Sequence, residues 1–158
     1  MKKILAPSDY QALAELRYQI RRFLHFSEQA ARGAGLEPQQ HQLMLALKGL
    51  PEGVRPRIGE LAERLQIQHH SAVELINRLA AAGYVKRGRQ SQDRREVLVA
   101  LTREGEHVLR ELSLHHTSEL RSKGPALLRA LKRVTNQDSS ARSSNPSSKS
   151  ARRRVPNA

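Results

Sequence analysis

RIGELAERLQIQHHSAVELINRL occupies residues 57–79, and its spacing decides the fold. Ile58, Leu61, Ala62 and Leu65 recur at three- and four-residue intervals, and after a break Val73, Ile76 and Leu79 do the same. Each set is one apolar face of a short helix. The connection spans only a few residues around Gln66 to Gln68, so the second helix must cross the first steeply, as in a helix-turn-helix. Ala62 supplies the small side chain that such a crossing needs. With Val73, Ile76 and Leu79 turned inward, the outer face carries Gln68, His69, His70, Ser71, Glu74, Asn77 and Arg78. These are hydrogen-bonding residue types, as reading base edges requires.

Gly83 stops the second helix, and the sequence then changes period. Tyr84 to Arg87 and Glu96 to Leu101 read as two strands, the second alternating Val97, Val99 and Leu101 against Leu98 and Ala100. A polar loop, Gly88 to Arg95, joins them. Lys86, Arg87, Arg89, Arg94 and Arg95 fall in this hairpin against only Asp93 and Glu96 of opposite sign. A cationic wing beside a recognition helix suits phosphate contact and entry into an adjacent minor groove.

The runs IGELAERL at 58–65, LAAAGYV at 79–85 and DRREVLVALTREG at 93–105 together resemble the MarR family of bacterial transcriptional regulators, over roughly residues 8–134. The wing motif followed by Leu-Thr-x-x-Gly at this distance carries most of the likeness. The resemblance implies that Asp93 and Arg95 form the wing pair, with the arginine entering the minor groove and Asp93 orienting it. Two positions depart from the family pattern. Gln66 stands at a turn position usually held by glycine, where a side chain is disfavoured in a left-handed backbone, and Gln68 stands where a Ser or Thr usually caps the recognition helix.

The chain has 158 residues, 38% of them hydrophobic, which suits one domain of ordinary size. Its 28 Lys and Arg against 15 Asp and Glu give a formal charge of +13. Such a balance points to a polyanionic partner, with nucleic acid ahead of a membrane surface. No stretch approaches the ~18 apolar residues of a spanning helix, and Met1-Lys2-Lys3 is not followed by a signal-peptide core, so a cytoplasmic location is expected. The absence of cysteine excludes disulfides and thiolate metal sites. Residues 136–158 hold Arg142, Lys149, Arg152, Arg153 and Arg154 against Asp138, with seven serines and two prolines. They read as a disordered basic Ser-rich tail carrying +4 of the total charge, unable to bury enough surface to order itself.

Helical faces flank the head on both sides. Ser8 to Gln11 has capping-box form ahead of Tyr10, Leu13, Leu16, Ile20, Phe23 and Leu24, a helix fading near Gly33. Pro38 suits the first turn of a second helix, which ends at Gly49 to Pro51. Thr102 caps a helix bearing Val108, Leu109, Leu112 and Leu120, and Gly124-Pro125 is expected to break it before a last helix with Leu127, Leu128 and Leu131. A small head cannot cover these faces alone, so they predict a homodimer. The expected architecture is mainly α with a small β-wing: a winged helix-turn-helix in a single domain 1–135, with dimerisation helices at 8–33 and 103–135 and a DNA-binding head at 37–101.

His107, Glu111, His115 and Glu119 lie four apart on the post-wing helix. With His41, the set His107, Glu111 and His115 is a formal zinc candidate, but an ideal helix drifts about 40° per four-residue step, so a solvated charged stripe is the expected reading and no metal or other cofactor is assigned. The family resemblance implies a small aromatic or anionic effector lodged between the head and the dimer helices, with Arg17, Arg21, His41 and His107 as candidate lining residues. No glycine-rich phosphate loop, nucleophile elbow or cysteine nucleophile suggests an enzyme. The expected function is a sequence-specific regulator of a double-stranded DNA operator, a repressor released by its effector. The alternatives are a zinc-responsive or ligand-independent regulator of the same fold, and a winged-helix module that docks protein.

Overall fold

The computed structural model describes residues 5–89 and 97–140. Seven elements follow one another along them: α1 Pro7–Gly33, α2 Pro38–Lys48, α3 Ile58–Leu65, α4 His69–Ala81, β1 Val85–Arg89, β2 Val97–Leu101 and α5 Arg103–Ser140. They divide into two compact units, Arg21–Gly124 and the pair of terminal segments Met1–Ile20 with Pro125–Ala158.

Local chemistry sets the helix ends. Asp9 reaches back to accept the Ala6 backbone N–H at 2.7 Å, and Ala6 in turn accepts from the Asp9 N–H at 2.9 Å. The cap of α1 is thus built on Ala6 and Asp9, two residues ahead of the box expected at Ser8, because Pro7 fits the first helical turn. In α2 Pro38 again opens the helix, and Gln40 accepts the Glu37 backbone N–H at 2.9 Å. Thr102 accepts the Gly105 N–H at 3.1 Å and donates its hydroxyl to Gly83 O at 2.6 Å, so one side chain starts α5 and ties it to the end of α4.

In the larger unit the core gathers Leu43, Met44 and Leu47 of α2, Leu61 of α3, Leu75, Ile76 and Leu79 of α4, Val85 and Val99 of the hairpin, and Leu109 and Leu112 of α5. The inward face of α4 differs from the expected one: Ala72 and Leu75 join Ile76 and Leu79, while Val73 is only half-buried. Ala62 is buried, as the tight α3–α4 crossing requires. Strands β1 and β2 pair antiparallel, Val85 opposite Leu101 and Arg89 opposite Val97. The segment before α3 lies along the other edge of β2, with the Val99 N–H donating to Pro56 O at 3.0 Å and a bridge between Arg57 and Leu98.

Gly124-Pro125 does not break the last helix. α5 runs unbroken from Arg103 to Ser140 with Pro125 inside it. Helical backbone before a proline is disfavoured in part by the preceding residue's Cβ, and Gly124 has none, which lowers the cost of carrying Pro125 inside the helix. Its last residues, 136–140, fall within the stretch read from sequence as tail; residues 141–158 lie outside the described part. In the terminal unit Ala12 and Ala130 are buried, while Leu13, Ile20, Leu128 and Leu131 stand exposed.

Candidate nucleic-acid interface

The turn between α3 and α4 sets how the second helix is offered. Gln66 adopts φ 53°, ψ 44°, the left-handed conformation that the missing glycine would have taken without strain. Ile67 N–H donates to Ala62 O and Gln66 N–H to Glu63 O, both at 3.0 Å, which closes α3 in a Schellman pattern. The Gln66 side chain adds its own bond, Nε2 donating to Glu63 O at 2.8 Å. A left-handed residue with a side chain costs about 1–2 kcal/mol, and this extra hydrogen bond offsets part of it. Gln68 then enters α4 with extended backbone, φ −68° and ψ 150°, and makes no side-chain cap bond.

Of the residues expected on the outer face, Gln68, His69, His70, Glu74, Asn77 and Arg78 are exposed and Ser71 is half-buried. They form one hydrogen-bonding surface. Beside it Lys86 and Arg87 stand exposed on β1, and Arg87 Nη2 donates to Asn77 Oδ1 at 2.6 Å, tying the hairpin to α4. Arg89 belongs to β1 through its backbone pairing with Val97. Asp93, Arg94 and Arg95 lie outside the described residues. On α3 the Arg64 guanidinium meets Glu60 at 2.7 Å, so that cation is locally matched.

The residues expected to line an effector site occupy different surroundings. Arg17 is exposed in the first half of α1, and Arg21 is exposed four residues on. His107 lines a cavity of about 520 Å³ with Glu111 and His115 on α5 and Ala30, Gly33 and Ala34 at the end of α1. His41 is instead 1% exposed, stacked on His116 with ring centroids 4.9 Å apart and planes 27° apart. His116 Nδ1 faces Leu112 O at 2.6 Å and Nε2 faces Ser27 Oγ at 2.7 Å. A carbonyl only accepts, so in the neutral ring the proton sits on Nδ1 and the Ser27 hydroxyl donates to Nε2. Phe23 and Phe26 meet the same imidazole edge-on. Burial first, and the His116 imidazole second, hold the His41 pKa below the ordinary value of 6.5. Among the described residues no three of His, Asp or Glu come together as a metal-holding group, His41, His107, Glu111 and His115 included.

Sequence reasoning placed Arg87 only among the cations of the wing, without its contact to Asn77, and passed over Ser27 and His116 altogether. The signal for the latter pair was present. Ser27 continues the Phe23 spacing at four residues and His116 continues Leu112 at four, so each is a polar residue on a core face, as His41 is on α2.

Residues 34–96 match the sequence model of the MarR family. No curated protein matches the chain. Among solved structures, AbsC of Streptomyces coelicolor, a MarR family transcriptional regulator, superposes with a TM-score of 0.68 at 22% identity, over 89% of this chain and 97% of its own. The transcriptional regulator Tm0710 of Thermotoga maritima gives 0.55 at 28% identity, over 79% of this chain and 94% of its own. Bordetella bronchiseptica BpsR, whose DNA binding is regulated by 6-hydroxynicotinic acid, gives 0.59 at 22% identity, covering 82% and 98% respectively.

Proposed function

We propose that this chain, whose residues 34–96 match the sequence model of the MarR family, is a homodimeric regulator of transcription of that family that reads a double-stranded DNA operator. One observation carries the reading: an exposed row of hydrogen-bonding side chains, His69, His70, Glu74, Asn77 and Arg78, on the second helix of a helix-turn-helix, flanked by the cationic strand β1. α4 enters the major groove and reads bases; the hairpin, with Arg94 and Arg95 by family resemblance, takes phosphates and the neighbouring minor groove. Asp93 orients the arginine.

The apolar residues exposed on α1 and α5, among them Leu13, Ile20, Leu128 and Leu131, are the surface against which a second copy packs. A two-fold dimer sets two copies of α4 on half-sites about 34 Å apart, one helical turn. The chain acts as a repressor. A small aromatic acid releases it, as the BpsR likeness suggests, and the cavity bearing His107 and His115 is large enough for one. Among the described residues no helix is long and apolar enough to cross a membrane, in keeping with a cytoplasmic role.

The test is selection from random duplexes followed by titration in rising salt. Operator reading requires at least about tenfold preference for selected over random DNA and a log–log salt slope near −0.9 per neutralised phosphate. Equal binding to every duplex would leave only a nonspecific cationic surface. Binding to a protein partner that is lost on reversing the wing charges, with no nucleic acid present, would favour the interaction-module reading.

A further inference from the structure

We propose that Arg87 is a positioning residue that fixes which base edge Asn77 can read, restricting it to a hydrogen-bond donor and so to guanine. The inference rests on the operator-reading role and adds a rule for one base position.

A free asparagine is two-sided. Its amide can accept through Oδ1 and donate through Nδ2 at once, which is why it pairs bidentately with adenine, accepting from N6 and donating to N7. Arg87 opposes that option by taking one of the two lone pairs of Oδ1 and fixing how the amide is turned. Its Nη2 lies 2.6 Å from Asn77 Oδ1, and because a guanidinium carries donors only, the carbonyl side of the amide is the side that must face it. A charge-assisted bond of this length holds the amide plane firmly. The guanidinium also places positive charge where the N6 hydrogen of adenine would approach, which opposes that contact a second time.

The amide nitrogen is the part left unopposed for DNA. Among the described residues no acceptor takes up Asn77 Nδ2, and the side chain stands on the exposed face of α4 beside Glu74 and Arg78. Its two hydrogens match an edge with two adjacent acceptors. In the major groove guanine presents N7 and O6 in that arrangement, thymine has O4 alone, and adenine sets a donor beside its acceptor. The arginine therefore acts on recognition through its neighbour without touching the base.

The experiment compares base preference, not affinity alone, for the full-length wild type, Asn77→Ala and Arg87→Met, using selection from random duplexes and then titration of single-base operator variants. At one position per half-site the wild type is expected to favour guanine over adenine by about tenfold, within the range that a good two-bond contact supplies. Asn77→Ala should flatten that position only. Arg87→Met frees Oδ1 and should move the preference toward adenine. Both side chains are exposed, so melting temperatures should stay level. Uniform weakening by Arg87→Met, with a salt slope shallower by about 0.9, would make Arg87 a phosphate contact and overturn the proposal. Unchanged preferences in Asn77→Ala, or adenine favoured by the wild type at the position Asn77 governs, would overturn it equally. A wild type with no sequence preference removes the operator-reading role itself, a different failure from a sequence-specific protein whose Arg87 variant keeps its preferences.

Discussion

His41 lies stacked on His116, ring over ring at 4.9 Å, deep in a cluster that α1 completes with Ser27. Among the described residues His41 Nδ1 has no hydrogen-bond partner. Protonation of an imidazole in that setting is disfavoured, because the added proton would be buried and would face a second histidine.

Stability should therefore depend on pH through His41. Its folded pKa is lowered from the ordinary 6.5, so the folded state binds fewer protons than the unfolded chain in the window below 6.5. By linkage, stability is full above about 6.5 and falls as pH drops toward the folded value. Urea denaturation between pH 8 and 5 should show this acid limb. His41→Leu should flatten it, whatever it does to stability at pH 8. An acid limb of equal steepness in the variant would assign the loss to other groups.

Gly105 and Tyr84 set a second test. A Cβ at Gly105 would collide with the Tyr84 carbonyl oxygen and stand 2.9 Å from its carbon. Gly105→Ala should cost about 1–3 kcal/mol, the usual range for overpacking against a rigid neighbour, and melting temperature should drop by several degrees. Gly59→Ala is the control, since among the described residues nothing lies within 4 Å of a Cβ there; on helix propensity alone it should be neutral or slightly stabilising.

At the turn, Gln66→Gly and Gln66→Ala should move in opposite directions. Glycine relieves the left-handed strain, and the loss of the bond to Glu63 O cancels part of the gain, so stability should stay level or rise by up to about 1 kcal/mol. Alanine keeps the strain and loses the bond, so it should destabilise by about 1 kcal/mol. Thermal melts of the two variants side by side decide this, and equal losses in both would show that strain at Gln66 is negligible.

Assembly can be broken at the exposed apolar residues of α5. Leu128→Asp with Leu131→Asp would place unpaired charge in the proposed seam, at a cost of several kcal/mol. Sedimentation should then report a monomer, and affinity for a two-half-site duplex should fall to that of a single half-site. Tight binding of the full site by a monomer would rule out the two-headed arrangement.

Helix order, most helix ends and the wing strands were legible in the sequence because they rest on local information. Periodicity along 58–65 and 69–81, Pro38 in a first turn, Thr102 before α5 and the alternation in 97–101 are each decided within one or two turns of chain. Even the anomaly at Gln66 could be located, since a side chain where the turn needs a left-handed residue is itself a local conflict. Which neighbours would satisfy it could not be read, and the side-chain bond to Glu63 O needed coordinates.

Tertiary packing decided the rest. Ser27 and His116 bond across 89 residues of sequence, and no local pattern announces a pairing so distant; the surplus of histidine drew attention to the regular His107, Glu111, His115 spacing instead. The rotation of α4 that buried Ala72 and Leu75 while leaving Val73 half out depended on the shape of the neighbouring elements, because a short helix has several faces apolar enough to turn inward. Asn77 and Arg87 each read from sequence as hydrogen-bonding surface residues. Only the docking of β1 beside α4 brought a guanidinium to an amide oxygen, and that contact fixes which way the Asn77 amide is turned. The sequence alone determined which hydrogen-bonding side chains share the outer face of α4, because helical spacing is local; the fold decided which of them meet a neighbour, because that depends on how β1 packs beside the helix.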